Sequence, residues 1–255
     1  MAMKNFIDFA AERGNRLIGT WVKIPSLATI ELLGLAGFDF LVIDMEHAPH
    51  SLPQAYDFIF AAQMCGMAAV VRLPDHTGSD IQRLLDSGAD GLLVPRVPDV
   101  PLAERITRQM IFSPKGERGL GGTSRAGGWA VDFSMADYVR RGNEQCLRMV
   151  QLEDWDTLNA VEDYLALENV NGVFVGLGDL WLSSGKTQAD PEVQAMIAHV
   201  GRAAQAAGKH LGVAAGSPEA ARRFLDQGYT LVMVSNDTTM FGRAAADIVK
   251  ATRGG

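Results

Sequence analysis

Cysteine is scarce in this 255-residue chain, which has two, Cys65 and Cys146. Two thiols without CxxC or Cys/His spacing exclude a disulfide framework and a thiolate zinc site, and both are expected to be buried. Positive charge is in the minority: 23 Lys and Arg stand against 30 Asp and Glu, for a formal net charge of −7. That balance argues against a general binder of phosphate backbones, which needs clustered cations. Long apolar runs are missing too, since none reaches the roughly 18 residues needed to cross a bilayer. Met1 to Arg13 lacks the apolar core and small-residue cleavage site of a secretory signal, so a cytoplasmic chain is expected.

What is present is a rhythm. Short apolar runs alternate with longer amphipathic segments from end to end, the pattern of repeated βαβ units. Strands are predicted near Leu17–Val22, Phe38–Met45, Ala68–Leu73, Gly91–Val94, Leu147–Leu152, Gly172–Val175, His210–Ala214 and Thr230–Val234. Helical patterns occupy Leu27–Ala36, Ala55–Cys65, Ile81–Ser87, Leu102–Met110, Leu158–Leu167, Val193–Ala207, Pro218–Gln227 and Met240–Thr252. Eight such units in about 250 residues predict one (β/α)8 barrel domain over 1–255, with a doubly wound open sheet as the alternative. The alternation breaks once, in a glycine-rich stretch between Ser113 and Phe133, and local sequence does not say which end of the barrel this loop covers.

A parallel barrel places its chemistry at the C-terminal ends of the strands. The second strand ends in Asp44-Met45-Glu46-His47, the third in Arg72, the fifth in Glu153-Asp154 and the sixth in Gly176-Leu177-Gly178-Asp179, while Arg96 follows the fourth. Glu153 and Asp179, on neighbouring strand ends, suit a hard divalent cation with positions left for water and a chelating substrate. An ionised rim or a helix cap is the plainer reading of the same residues. His47 suits proton transfer near neutrality, and a zinc pair with His50 is disfavoured because Pro49 interrupts any helix between them. Arg72 suits a carboxylate or a developing enolate, against a rim salt bridge, with Asp86 as one partner. Gly176 and Gly178 allow close backbone approach, and free N–H groups at the following helix start suit an anion. A Schiff-base mechanism needs a desolvated lysine inside the barrel. Of the six lysines only Lys23 lies near a strand end, so elimination favours a metal-dependent route.

Read in order, Gly19-Thr20-Trp21, Phe38-Asp39, Ile43-Asp44-Met45-Glu46-His47-Ala48-Pro49, Val71-Arg72, Leu84-Leu85-Asp86-Ser87-Gly88-Ala89, Val94-Pro95 and Pro114-Lys115-Gly116-Glu117-Arg118-Gly119 resemble the pyruvate-dependent class II aldolases of the 4-hydroxy-2-oxoheptanedioate aldolase family. These are relatives of the citrate lyase β-subunit, with a TIM barrel of the phosphoenolpyruvate/pyruvate type. The resemblance spans nearly the whole chain. It implies Glu153 and Asp179 as metal ligands, Arg72 as the pyruvate-binding and enolate-stabilising group, and His47 as the acid/base. It further implies Asp44 and Asp86 as supporting acids, the backbone of Gly178 and Asp179 as the pyruvate carboxylate seat, and Trp21 as a pocket residue. A divalent cation (Mg2+, Mn2+ or Co2+), an aldehyde acceptor, a role in aromatic-compound catabolism, an exchanged last helix and a homohexamer follow from the same likeness. The chain departs from it at Glu153-Asp154-Trp155 and Gly176-Leu177-Gly178-Asp179-Leu180-Trp181, where Trp155 and Trp181 either contact substrate or pack at the barrel–helix interface. Arg96 is a cation at a position usually less charged. Acyl-CoA lysis, 2-oxo-acid decarboxylation and non-catalytic metabolite binding are the alternative functions.

Overall fold

A computed structural model describes residues 5–131 and 134–254. Helix α1 (Phe6–Glu12) precedes β1 (Leu17–Val22), α2 (Leu27–Leu35), β2 (Phe40–Asp44), α3 (Leu52–Met64) and β3 (Ala68–Arg72). Next come α4 (Ile81–Asp86), β4 (Gly91–Val94), α5 (Val100–Arg108), a 3-10 turn (Gly128–Ala130) and α6 (Met135–Glu144). The remainder is β5 (Leu147–Leu152), α7 (Trp155–Asn159), α8 (Val161–Ala166), β6 (Gly172–Val175), α9 (Leu177–Ser184), α10 (Pro191–Ala206), β7 (His210–Ala215), α11 (Pro218–Asp226), β8 (Leu231–Asn236) and α12 (Asp237–Arg253). The eight strands are parallel and close in sequence order, with β8 returning to β1. The expected (β/α)8 barrel is therefore the fold, and the open-sheet alternative is set aside.

Alternation along the strands separates two cores. Leu41, Ile43, Ala69, Val71, Leu92, Val94, Val150, Leu152, Val173 and Val175 face the helix layer. Leu17, Trp21, Phe40, Val42, Ala68, Val70, Leu93, Leu147, Met149, Phe174, Leu231 and Met233 fill the barrel interior. Large interior rings fit only because glycines face them: a Cβ at Gly19 would fall 2.4 Å from the Phe40 ring and one at Gly212 would fall 2.8 Å from Phe174. Helix α1 closes the lower end with Phe6, Phe9 and Ala10 joined to the interior core. Burying each of those phenylalanines contributes roughly 1.5–3 kcal/mol.

The glycine-rich loop lies at the lower end. Asp86, at the last turn of α4, accepts from Arg118 Nη2 at 2.9 Å and from the Tyr138 hydroxyl at 3.2 Å, and its carbonyl accepts from Ala126 N at 3.0 Å. Because α4 runs antiparallel to the strands, this end is remote from the C-terminal strand ends. Asp132 and Phe133, the end of the loop as read from sequence, lie outside the described residues. Cys146 is buried as expected, whereas Cys65, also expected to be buried, is exposed at the C-cap of α3. The last helix is long and barely docked: of α12 only Asp237 is buried, and Phe241 and Ile248 are 70% and 67% exposed. No described helix is long and apolar enough to cross a membrane.

Candidate active site

The same alternation delivers the site. Lys23 continues the inward series of β1, Asp44 that of β2, Arg72 that of β3, and Gln151 with Glu153 that of β5, so their side chains gather over the barrel mouth. Asp44 and Arg72 are register partners on adjacent strands. Arg72 donates from Nε to Asp44 Oδ1 at 2.9 Å and from Nη2 to Oδ2 at 2.7 Å, a two-pronged pair that fixes the guanidinium plane. Its other face stacks on the Trp21 ring, 4.3 Å from the centroid, and Trp21 in turn meets Phe174 edge-on. Lys23 Nζ also bonds Asp44 Oδ2. Burial alone would raise the Asp44 carboxyl, but the bonds and charge of Arg72, the bond from Lys23 and the His47 backbone N–H together hold it down at about 2. Asp44 thus contributes stability above its ordinary value of 3.8 that is lost only as pH falls through about 2.

Glu46 does more than its place in the sequence motif indicated. Its side chain is only 7% exposed and meets Arg72 Nη1 at 2.9 Å and Arg96 Nε at 3.0 Å. His47 Nε2 stands 3.6 Å from Glu46 Oε2, beyond hydrogen-bond range, and its ring is exposed at the mouth. Asp44 Oδ1 also accepts from the backbone N–H groups of Glu46 and His47, which sets the loop that presents both side chains.

Glu153 and Asp179 come from the ends of β5 and β6. Removal from water raises the Glu153 carboxyl to about 7, partly offset by the bond from Gln151 Nε2 and reinforced by the negative charges of Asp179 and Glu46. Gly176 is required here, since a Cβ would lie 2.6 Å from Glu153 Cβ. Asp154 is the helix cap here, accepting from Thr157 N at 2.9 Å, which leaves Glu153 free of that duty. Among the described residues no three His, Cys, Asp or Glu side chains converge as a metal cage. Two hard oxygen donors, one of them lifted toward neutrality chiefly by burial and in lesser part by the other's charge, nevertheless fit a divalent cation completed by water and substrate. Beside them α9 starts without any side-chain cap and Gly178 borders open space, so the first N–H groups of the helix face the mouth unspent.

Asp86 does not join these groups. It is neither the partner of Arg72, which pairs with Asp44 and Glu46, nor within this chain's mouth, because α4 carries it to the opposite end. His50 is buried and bonds the Val22 carbonyl at 3.2 Å, apart from His47. Trp155 packs on the helix-layer core under Lys186, while Trp181 is exposed on α9. Lys23, Glu46 and Gln151 were not singled out by sequence reasoning as parts of the site. The signal for Lys23 and Gln151 was the inward parity of their strands, and Glu46 had none beyond its neighbours.

Sequence and structure comparisons identify the family. Residues 17–244 match the family model described as HpcH/HpaI aldolase/citrate lyase. The chain is 35% identical over 229 residues to a 5-keto-4-deoxy-D-glucarate aldolase of Escherichia coli O139:H28, covering 89% of this chain and 88% of that enzyme. An HpcH/HpaI aldolase/citrate lyase family protein from Burkholderia cenocepacia J2315 superposes with a TM-score of 0.85 at 32% identity, covering 98% of this chain and 100% of that one. The HpcH/HpaI aldolase from Desulfitobacterium hafniense DCB-2 superposes with a TM-score of 0.89 at 25% identity, over 99% and 97% of the two chains. With its mouth built as described and its whole barrel matched, the chain belongs to the HpcH/HpaI aldolase/citrate lyase family and is a carbon–carbon lyase.

Proposed function

We propose that the enzyme catalyses reversible aldol cleavage of 4-hydroxy-2-oxo acids to pyruvate and an aldehyde, in the cytoplasm. The observation that carries this reading is the Asp44–Arg72 fork set beside the Glu153 and Asp179 carboxylates at one barrel mouth. A divalent cation (Mg2+, Mn2+ or Co2+) held by Glu153 and Asp179 would supply a Lewis acid for the 2-oxo group. The N–H groups at the start of α9 receive the substrate's 2-oxo-acid carboxylate, and Trp21 walls the pocket beneath Arg72. In cleavage the proton of the C4 hydroxyl passes to His47, directly or through water, as the C3–C4 bond breaks. Its electron pair becomes the enolate of pyruvate, whose oxygen Arg72 stabilises until C3 is protonated. Deuterium exchange into the methyl group of pyruvate, then an aldehyde panel with a series of metals, tests the assignment. Pyruvate consumption that never depends on aldehyde would exclude it in favour of decarboxylation or acyl transfer.

His47→Ala is expected to lower aldol cleavage by about 10²–10⁴-fold, the usual share of a proton-transfer residue, at unchanged metal occupancy. A loss below about threefold with occupancy matched removes His47 from that role.

The uncovered apolar side of α12 supports an assembly in which this helix docks on a second copy, with a hexamer as the expected state. Light scattering should give six times the 27.5 kDa chain mass. Phe241→Glu with Ile248→Glu should reduce it, and an unaltered mass would show that α12 is not the contact.

A further inference from the structure

Arg96 stands where the barrel's own logic does not put it. Leu92 and Val94 of β4 face the helix layer, so a continued strand would send residue 96 outward among the helices. Instead the backbone of Arg96 turns into the left-handed region at φ 48°, a conformation rare for an arginine, and the side chain reaches the mouth. The turn is braced on both sides: Pro95 and Pro98 flank it, and Val97, which is buried, donates its N–H to the Gln151 carbonyl at 3.3 Å. This anchors the loop to the strand that carries Glu153. Strain of this kind persists where the surroundings impose it, and an exposed ion pair alone contributes too little to explain it.

The three cations of the mouth differ in how their donors are used. Arg72 engages Asp44 through Nε and Nη2 and meets Glu46 through Nη1, and Lys23 is turned onto Asp44. Arg96 meets Glu46 through Nε alone, and its side chain is 59% exposed. Its Nη donors bond no described residue; the guanidinium and the exposed His47 ring both stand beside Glu46, and Asp75 and Glu153 are the other carboxylates that feel its charge. A planar edge of this kind takes a carboxylate in two parallel hydrogen bonds.

We propose that Arg96 is the specificity residue of the acceptor half of the site and selects aldehydes that carry a carboxylate at the end remote from the carbonyl. The assignment rests on the aldolase reading above. The enolate forms deep in the mouth against Arg72, and the aldehyde carbon meets it near His47. The far end of the acceptor then extends toward the rim, where Arg96 is the cation with unspent donors. Glu46 holds the guanidinium by Nε and so keeps the outer edge aimed at that position.

The test compares unmodified enzyme, Arg96→Gln and Arg96→Lys on two acceptors of equal chain length, succinate semialdehyde and butanal, with pyruvate as donor. Deuterium exchange into pyruvate alone is measured first on the unmodified enzyme. The expected result is a preference for the charged aldehyde in kcat/KM that falls about 10- to 100-fold in Arg96→Gln, the usual range for a charged hydrogen bond, and recovers in part in Arg96→Lys. Melting temperatures of the variants check that the barrel is intact. An equal loss on both aldehydes makes Arg96 a structural residue and overturns the proposal, as does a ratio that is the same in all three proteins. Absence of deuterium exchange in the unmodified enzyme overturns the aldolase reading and this assignment with it, whereas exchange with an unchanged ratio overturns the role of Arg96 alone.

Discussion

Glu153→Gln and Asp179→Asn should each weaken metal binding sharply and lower turnover by on the order of 10³-fold or more. Either change removes half the protein charge offered to the cation, and Lewis-acid stabilisation is worth several kcal/mol of barrier at about 1.36 kcal/mol per tenfold in rate. Chelation should reproduce the loss and added metal should reverse it. Because burial and the neighbouring carboxylates raise Glu153 to about 7, protons compete with the cation. In calorimetry, affinity should therefore fall as pH drops below about 7, with protons released on binding, and level off above it. In the metal-free protein the sign is opposite for stability: the ionised Glu153 is penalised, so this group's contribution declines as pH rises from its ordinary 4.5 through about 7. Full turnover by protein shown free of metal by elemental analysis would end the metal-dependent assignment.

Arg72→Lys should fold and yet lose about 10²–10³-fold in turnover, the scale observed when one donor to a developing oxyanion is removed. A lysine can offer charge to Asp44 but not the Nε and Nη2 pair at 2.9 and 2.7 Å, nor the flat stack on Trp21. Exchange of the pyruvate methyl protons should fall in parallel, since Arg72 is assigned to the enolate. Exchange at the unmodified rate with altered aldehyde affinity would move Arg72 to the acceptor. Arg72→Ala is a different experiment. It leaves the Asp44 carboxylate buried with Lys23 as its remaining cation, and removing one member of a buried pair costs roughly 3–5 kcal/mol, so its activity would mix folding with chemistry.

Much of the barrel was legible because a parallel strand covered on both faces is a short apolar run between glycine-marked turns, and all eight predicted strands sit where the alternation indicated. The helices were less so. Residues 158–167, read as one helix, divide at Ala160 into α7 and α8, because the Asp154–Thr157 capping box starts a short helix of its own. Helix α9 was anticipated only as a helix start after the Gly176–Asp179 motif, without bounds, and α6, which buries only Tyr138, was not read at all. The loop after α5 gave no sign of its destination, since what holds it is a side chain 32 positions away, Asp86 on Arg118. The candidate site was legible where chemistry coincides with a strand end, as at Asp44, Arg72, Glu153 and Asp179. Arg96 was legible as a candidate by its place after β4, but not the backbone turn that carries its side chain to the mouth, and the role of Glu46 was hidden because it is a carboxylate shared by two guanidiniums.

The filled barrel interior also governs molecular traffic. With Phe6 and Phe9 stoppering the lower end and Phe40, Met149 and Phe174 occupying the middle, the described residues leave no through-channel, and reactants and products share one doorway. In the proposed reaction the group seated against Arg72 and Trp21 lies below whatever occupies the rim near His47 and Arg96. Sequence of departure is then a matter of depth: the upper fragment must vacate before the lower one can escape, however weakly the lower one is held. In the reverse direction the deeper partner must enter first, and a molecule that arrives early at the rim blocks the entrance to its own co-reactant.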